Sequence, residues 1–208
     1  MNKYIVEFIG TFFLVLTIGC AAVLGNAKDM APLAIGSALM VMVFAGGHIS
    51  GAHFNPAVTL AVFLRGKCPL GDVGPYMIAQ VAGAALAAAI VLFLRGTGTT
   101  EPLEPDIAKA LLVELLYTFA LAYVVLNVAT AKGTSGNSFY GLAIGFTVMA
   151  GAFSVGAISG GVFNPAVAVG LTIMGASSVS AIWIYLVANF AGGALAAVVF
   201  KMLNPEDK

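Results

Sequence analysis

The 208 residues are 61% hydrophobic and only 9% charged, with a formal net charge of zero. A soluble domain carries about 25% charged residues, so this chain cannot cover a soluble surface, and with no Lys/Arg run it lacks the footprint of a nucleic-acid binder. Its long apolar stretches point instead to a bilayer, where a spanning helix needs about 20 apolar residues.

The first stretch, Tyr4–Leu24, is long enough to span and reads as a retained helix rather than a cleaved leader. It carries Glu7 near its start. After "GNAKDMAP" comes Pro32–His48, then the short piece Pro56–Leu64. "RGKCPLGDVGP" precedes Gly74–Leu94, and "RGTGTTEPLEPD" precedes Ile107–Thr130, with Glu114 near its start. The acids Glu101, Glu104 and Asp106 read as a solvated loop. "TAKGTSGNS" leads to Phe139–Gly156, then the short piece Pro165–Met174 and the last span, Ser180–Leu203. At 1.5 Å per residue the two short pieces reach about 15 Å, half the hydrocarbon thickness.

The chain repeats itself. "ISGAHFNPAVTL" at Ile49 returns as "ISGGVFNPAVAV" at Ile158, 109 residues later. "LAIG" at Leu33 and Leu142, and "QVAGAALAA" at Gln80 with "NFAGGALAA" at Asn189, keep the same offset. "VEFIGTFF" at Val6 echoes "VELLYTFA" at Val113. Each copy, about 1–98 and about 107–208, holds three spans and one half-span. A half-span that returns to its own side adds no crossing, so three crossings invert the second copy relative to the first. Inverted repeats recur in transport folds. The expected fold is an all-α membrane protein: six transmembrane helices, two re-entrant half-helices and one channel domain over 1–208.

With the N-terminus inside, Lys3, Arg65, Lys67, Lys132, Lys201 and Lys208 lie inside, and Lys28, Arg95 and Lys109 outside. This excess favours both termini in the cytoplasm.

Asparagine is a strong N-cap and proline suits the first helical position. "NPAV" therefore reads as a helix start. Asn55 caps a half-helix from Pro56 and Ala57; Asn164 caps one from Pro165 and Ala166. Each Asn carbonyl is expected to accept from the backbone of Val58 or Val167, leaving its NH2 donors to grip a passing oxygen. The stretches before them, "GGHISGAHF" and "VGAISGGVF", read as non-helical. Such backbone is tolerated at membrane depth only when buried or lining an aqueous cavity. Inversion brings both positive helix ends to one spot, which repels a cation and tolerates a neutral oxygen-bearing molecule.

These features resemble the aquaporin (major intrinsic protein) family, on "SGAHFNPAV", "SGGVFNPAV", the Glu7 and Glu114 positions and the repeat. The resemblance covers essentially the whole chain. It implies a homotetramer with one pore per protomer. It also implies that Glu7 and Glu114 accept hydrogen bonds from the re-entrant loops. In most of the family an arginine follows the second Asn-Pro-Ala; here that position is Val167. The other three constriction positions fall by spacing on Ile35, Ala152 and Gly161. This set has no charge and two very small members, so a wider, more apolar filter is expected, unless a nearby side chain such as Phe153 refills it. The solutes expected are water and small neutral molecules: glycerol, urea, ammonia, or boric, silicic or arsenous acid.

His48 is placed near the inner pore mouth and His53 is read as packing. Thr11, Thr118 and Gln80 are read as bonding within the protein. Trp183, Tyr185, Tyr76 and Tyr4, near segment ends, suit interfacial belts. Small-residue runs permit close helix contact. Cys20 and Cys68 read as unpaired, no metal-ligand spacing occurs, and no cofactor is called for. No nucleophile–base pair appears, so an enzyme is set aside. An ion-coupled secondary transporter is the main alternative, disfavoured by the absence of a central charge. A purely adhesive role, as in some family members, finds no partner motif in the short termini.

Overall fold

The computed structural model describes residues 1–207; Lys208, counted above among the inner charges, lies outside the described residues. Eight α-helices follow in chain order: α1 Asn2–Ile18, α2 Ala31–Ser50, α3 Pro56–Leu64, α4 Leu70–Arg95, α5 Ile107–Val125, α6 Tyr140–Ser159, α7 Pro165–Ile173 and α8 Ile182–Leu203. Six helical stretches are long and apolar enough to cross a membrane. The two nine-residue helices, α3 and α7, are half that length and enter between the others. The protein is therefore a multi-pass membrane protein with two re-entrant half-helices. α1 and α5 both finish in a five-residue π-helical turn, Gly19–Val23 and Leu126–Thr130.

The two halves pack as an inverted pair. α1 lies along α4 as α5 lies along α8, and α3 leans on α8 as α7 leans on α4. α2 and α6 cross at Gly36 and Gly145, where a Cβ on either would strike the other's carbonyl oxygen. Gly83 meets the Phe8 carbonyl of α1, and Gly192 meets the Leu115 carbonyl of α5. In lipid, where helix association depends on such close packing, these glycines are what lets the backbones touch.

Several sequence boundaries shift. α4 begins at Leu70, four residues before the expected Gly74, and carries Pro75 inside it. α2 runs to Ser50 and α6 to Ser159, so "GGHIS" and "VGAIS" are helical, contrary to expectation. The breaks come at Gly51 (φ 85°) and Gly160 (φ 92°), left-handed caps whose N–H groups bond Gly47 and Gly156 carbonyls. Glycine takes this conformation without a Cβ penalty, which is why each helix ends there.

Candidate functional site: a cavity past two opposed helix starts

Between each capping glycine and its half-helix the backbone is contorted. Ala52 (φ 51°), Phe54 (φ 48°) and Phe163 (φ 49°) all hold positive φ without being glycine. Such residues cost about 1–3 kcal/mol each and persist only where surroundings over-determine them. A buried carboxylate does this in each loop. Glu7 accepts from Ser50 Oγ (2.7 Å), His53 N (3.0 Å) and Phe54 N (2.7 Å). Glu114 accepts from Ser159 Oγ (2.7 Å), Val162 N (2.8 Å) and Phe163 N (2.7 Å). Both acids are wholly buried.

A tyrosine completes each clamp. Tyr76 donates to Ser50 O (2.8 Å) and Tyr185 to Ser159 O (2.9 Å). Both rings are buried, so neither belongs to an interfacial belt as expected; their hydroxyls answer the last carbonyls of α2 and α6. Thr11 donates to the Glu7 carbonyl, Thr118 to Asn189, and Gln80 to Glu7 and Thr59.

The asparagines then open the half-helices. Asn55 Oδ1 accepts from Ala57 N (2.8 Å) and Val58 N (3.4 Å). Asn164 Oδ1 accepts from Ala166 N (2.9 Å) rather than from Val167. Neither amide nitrogen is wholly free, contrary to the expectation from sequence. Asn55 Nδ2 donates to Phe163 O (2.9 Å), and Asn164 Nδ2 donates to Phe54 O (2.9 Å). Each half-helix start is thus stapled to the opposite loop, N-terminus against N-terminus. The contorted phenylalanines present the accepting carbonyls. One N–H of each amide remains for the space beside them.

That space is a cavity of about 330 Å³ lined by both asparagines and by Ile35, Ala152, Gly161 and Val167. Gly161 backs directly onto Ala152: a Cβ on Gly161 would sit 3.4 Å from the Ala152 Cα. Among the described residues no Lys, Arg, Asp or Glu lines it. Phe153 does not refill the gap, being 55% exposed on the outer face of α6. Arg95 is held elsewhere, donating to Thr100 Oγ1 (2.9 Å) and Met174 O (2.8 Å). A second cavity of about 530 Å³ holds His48, Gly47 and Tyr140, with Ile144 in the walls of both.

Among the lining residues that escaped the sequence reading, three bear on the site. His53 lines the main cavity instead of merely packing, its Nδ1 3.1 Å from Thr59 Oγ1. Leu103 and Ser177 reach it from loops that carry no helical signal.

The family model described as "Major intrinsic protein" matches residues 1–200. The chain is 37% identical to "Aquaporin NIP1-4" of Oryza sativa subsp. japonica, over 98% of this chain and 77% of the relative. It is 38% identical to "Glycerol uptake facilitator protein-like 6" of Lactiplantibacillus plantarum, over the whole of both. Its fold is similar to that of the aquaglyceroporin from Plasmodium falciparum (TM-score 0.83, 23% identity, 98% of this chain and 97% of that one).

Proposed function

Because the chain belongs to the aquaporin (major intrinsic protein) family, which makes it a passive channel for water and small solutes, we propose that it passes neutral molecules larger than water through a wide, apolar constriction. Ile35, Ala152, Gly161 and Val167 form that constriction, and Asn55 and Asn164 form the central contact. The observation that carries the reading is the cavity wall: all six residues line one continuous space that, among the described residues, no Lys, Arg, Asp or Glu side chain enters. Glycerol, urea, ammonia and metalloid hydroxides are the candidate solutes. The identity with a glycerol uptake facilitator supports glycerol among them.

Passage is selective by charge. The positive ends of α3 and α7 face one point, so a cation crossing there meets both helix dipoles without compensation. A hydroxyl oxygen instead accepts the remaining Asn N–H. An apolar constriction adds a desolvation barrier for any ion. Glu7 and Glu114 serve this by holding the loops, not by carrying protons. The termini and the His48 vestibule lie on the cytoplasmic side, the protein sits in the cell membrane, and protomers assemble as a homotetramer with a pore each.

Stopped-flow permeability of proteoliposomes to water, urea, glycerol and boric acid tests the filter, wild type beside Val167→Arg. The variant is expected to lose glycerol and boric acid at least about tenfold more than water, the scale on which a pocket discriminates by size. Equal loss of all four, or none, contradicts the proposed constriction.

A further inference from the structure

The stretch "TEPLEPD" between α4 and α5 is more than a solvated loop. It crosses the outer mouth as a strap fastened at three points. Arg95 joins Thr100 to the C-terminal carbonyl of Met174 beyond α7. Leu103 N donates to Ala176 O (2.9 Å) and pairs with Ser177 in an isolated parallel bridge. Asp106 caps α5 through Lys109 N (3.0 Å). Pro102 and Pro105 hold the residues before them extended, which stiffens the span between the fastenings.

The strap turns one side chain inward. Leu103 lines the cavity together with Gly161, Val167 and Ser177, and its Cδ2 lies where a Cβ on Gly160 would come within 3.3 Å. It thus overhangs the side of the mouth where Gly160 and Gly161 offer no side chain. Beneath it Ser177 is 4% exposed. The Tyr185 hydroxyl lies beside it and donates to Ser159 O (2.9 Å).

We propose that Leu103 is a further specificity-determining residue, a fixed apolar lip above the constriction that sets the largest neutral polyol the channel takes, with Arg95 as its positioning residue. This rests on the wide-constriction reading: with little bulk at Ala152, Gly161 and Val167, the limit on solute size moves outward to the strap. Leu103 belongs to an exposed loop, so its replacement leaves the helix packing intact.

The test measures proteoliposome permeability to water, glycerol and the four-carbon polyol erythritol for wild type, Leu103→Ala, Leu103→Trp and Arg95→Gln. Leu103→Ala is expected to raise the erythritol-to-glycerol ratio about fivefold, and Leu103→Trp to lower the glycerol-to-water ratio by a similar factor. Arg95→Gln moves the first ratio in the same direction as Leu103→Ala, which a loss of folded protein alone would not do. If wild type passes glycerol and both Leu103 variants keep its ratios, the lip is overturned and the wide constriction stands. If wild type and Leu103→Ala both pass water alone, both readings fall. If only Leu103→Ala admits glycerol, the lip is upheld as the limiting element.

Discussion

Residues 51–55 and 160–164 are one design used twice, and the second use is the barer. Both begin at a left-handed glycine and end at an asparagine whose Nδ2 reaches the other's phenylalanine carbonyl. Both hang from a glutamate, a serine and a tyrosine. The first has more. Gln80 Nε2 joins Glu7 (2.7 Å) to Thr59 Oγ1 (3.0 Å), and Thr59 meets His53 (3.1 Å). In the second, Asn189 stands for Gln80, Ala168 for Thr59 and Val162 for His53. Asn189 takes the Thr118 hydroxyl (3.0 Å), and its own Nδ2 has no partner among the described residues. The duplicated parts are those without which the backbone cannot hold its shape. The parts that differ adjust stiffness and the chemistry of the cavity wall. At Val58 and Val167 the repeats agree, so the missing arginine leaves the pair more symmetric.

The largest expected effect breaks the shared part. Glu114→Ala orphans two buried backbone N–H groups, each worth about 1–3 kcal/mol. Glu7→Ala orphans two as well and takes from Gln80 its bond to a carboxylate. Thermal unfolding in detergent should rank both variants far below wild type, with Glu7→Ala the lower. The reverse order would contradict the richer support assigned to the first loop.

A smaller effect separates the unshared part. Gln80→Leu removes a hydrogen bond to a carboxylate and is expected to cost about 1.5–3 kcal/mol. Asn189→Leu removes one neutral bond, from the buried Thr118 hydroxyl, and an unanswered N–H, so it should cost less, about 1 kcal/mol. Equal shifts in the two unfolding curves would mean that the side-chain chain from Glu7 to His53 contributes nothing.

The smallest effect lies at the far ends of the half-helices. α7 is closed by Arg95 on Met174 O, whereas the end of α3 carries Arg65, tied to Asp207 Oδ1 (2.6 Å). The Lys132 backbone N–H, with Arg65 adding its charge, holds the Asp207 carboxyl below the usual carboxylate range. A lowered folded-state value means the contribution is complete above the unfolded value of about 3.9 and is lost as pH falls through the folded one. The unfolding difference between wild type and Asp207→Asn should therefore be constant from about pH 8 to pH 5 and close only below about pH 4. A difference that closes near neutrality would point to another titrating group.

Much of this was legible in the chain. Apolar runs located the spans because lipid leaves a helix few alternatives. The 109-residue offset, kept by three pairs of strings, revealed the repeat, and three crossings in each copy make it an inverted one. Other features depend on contacts between distant segments. Asn55 and Phe163 are 108 residues apart, so the stapling of the asparagines has no local signal. Tyr76 and Tyr185 sit where belt tyrosines would, and only the position of Ser50 and Ser159 turns them inward. Leu103 lies between acids and prolines, a composition that reads as solvent loop, yet Arg95 and Ala176 hold it at the mouth. His53 was misread because a lone histidine beside glycines has no period to reveal which wall it joins.

The central claim is that two opposed half-helix starts admit neutral molecules and repel cations, although Val167 stands where most of the family has an arginine. Osmotic swelling in glycerol and electrical conductance in sodium and potassium chloride, recorded on the same purified protein in bilayers, test it directly. Swelling that scales with protein while conductance stays at the level of bare lipid is the predicted result. A sodium or potassium current that rises with the amount of protein would contradict it.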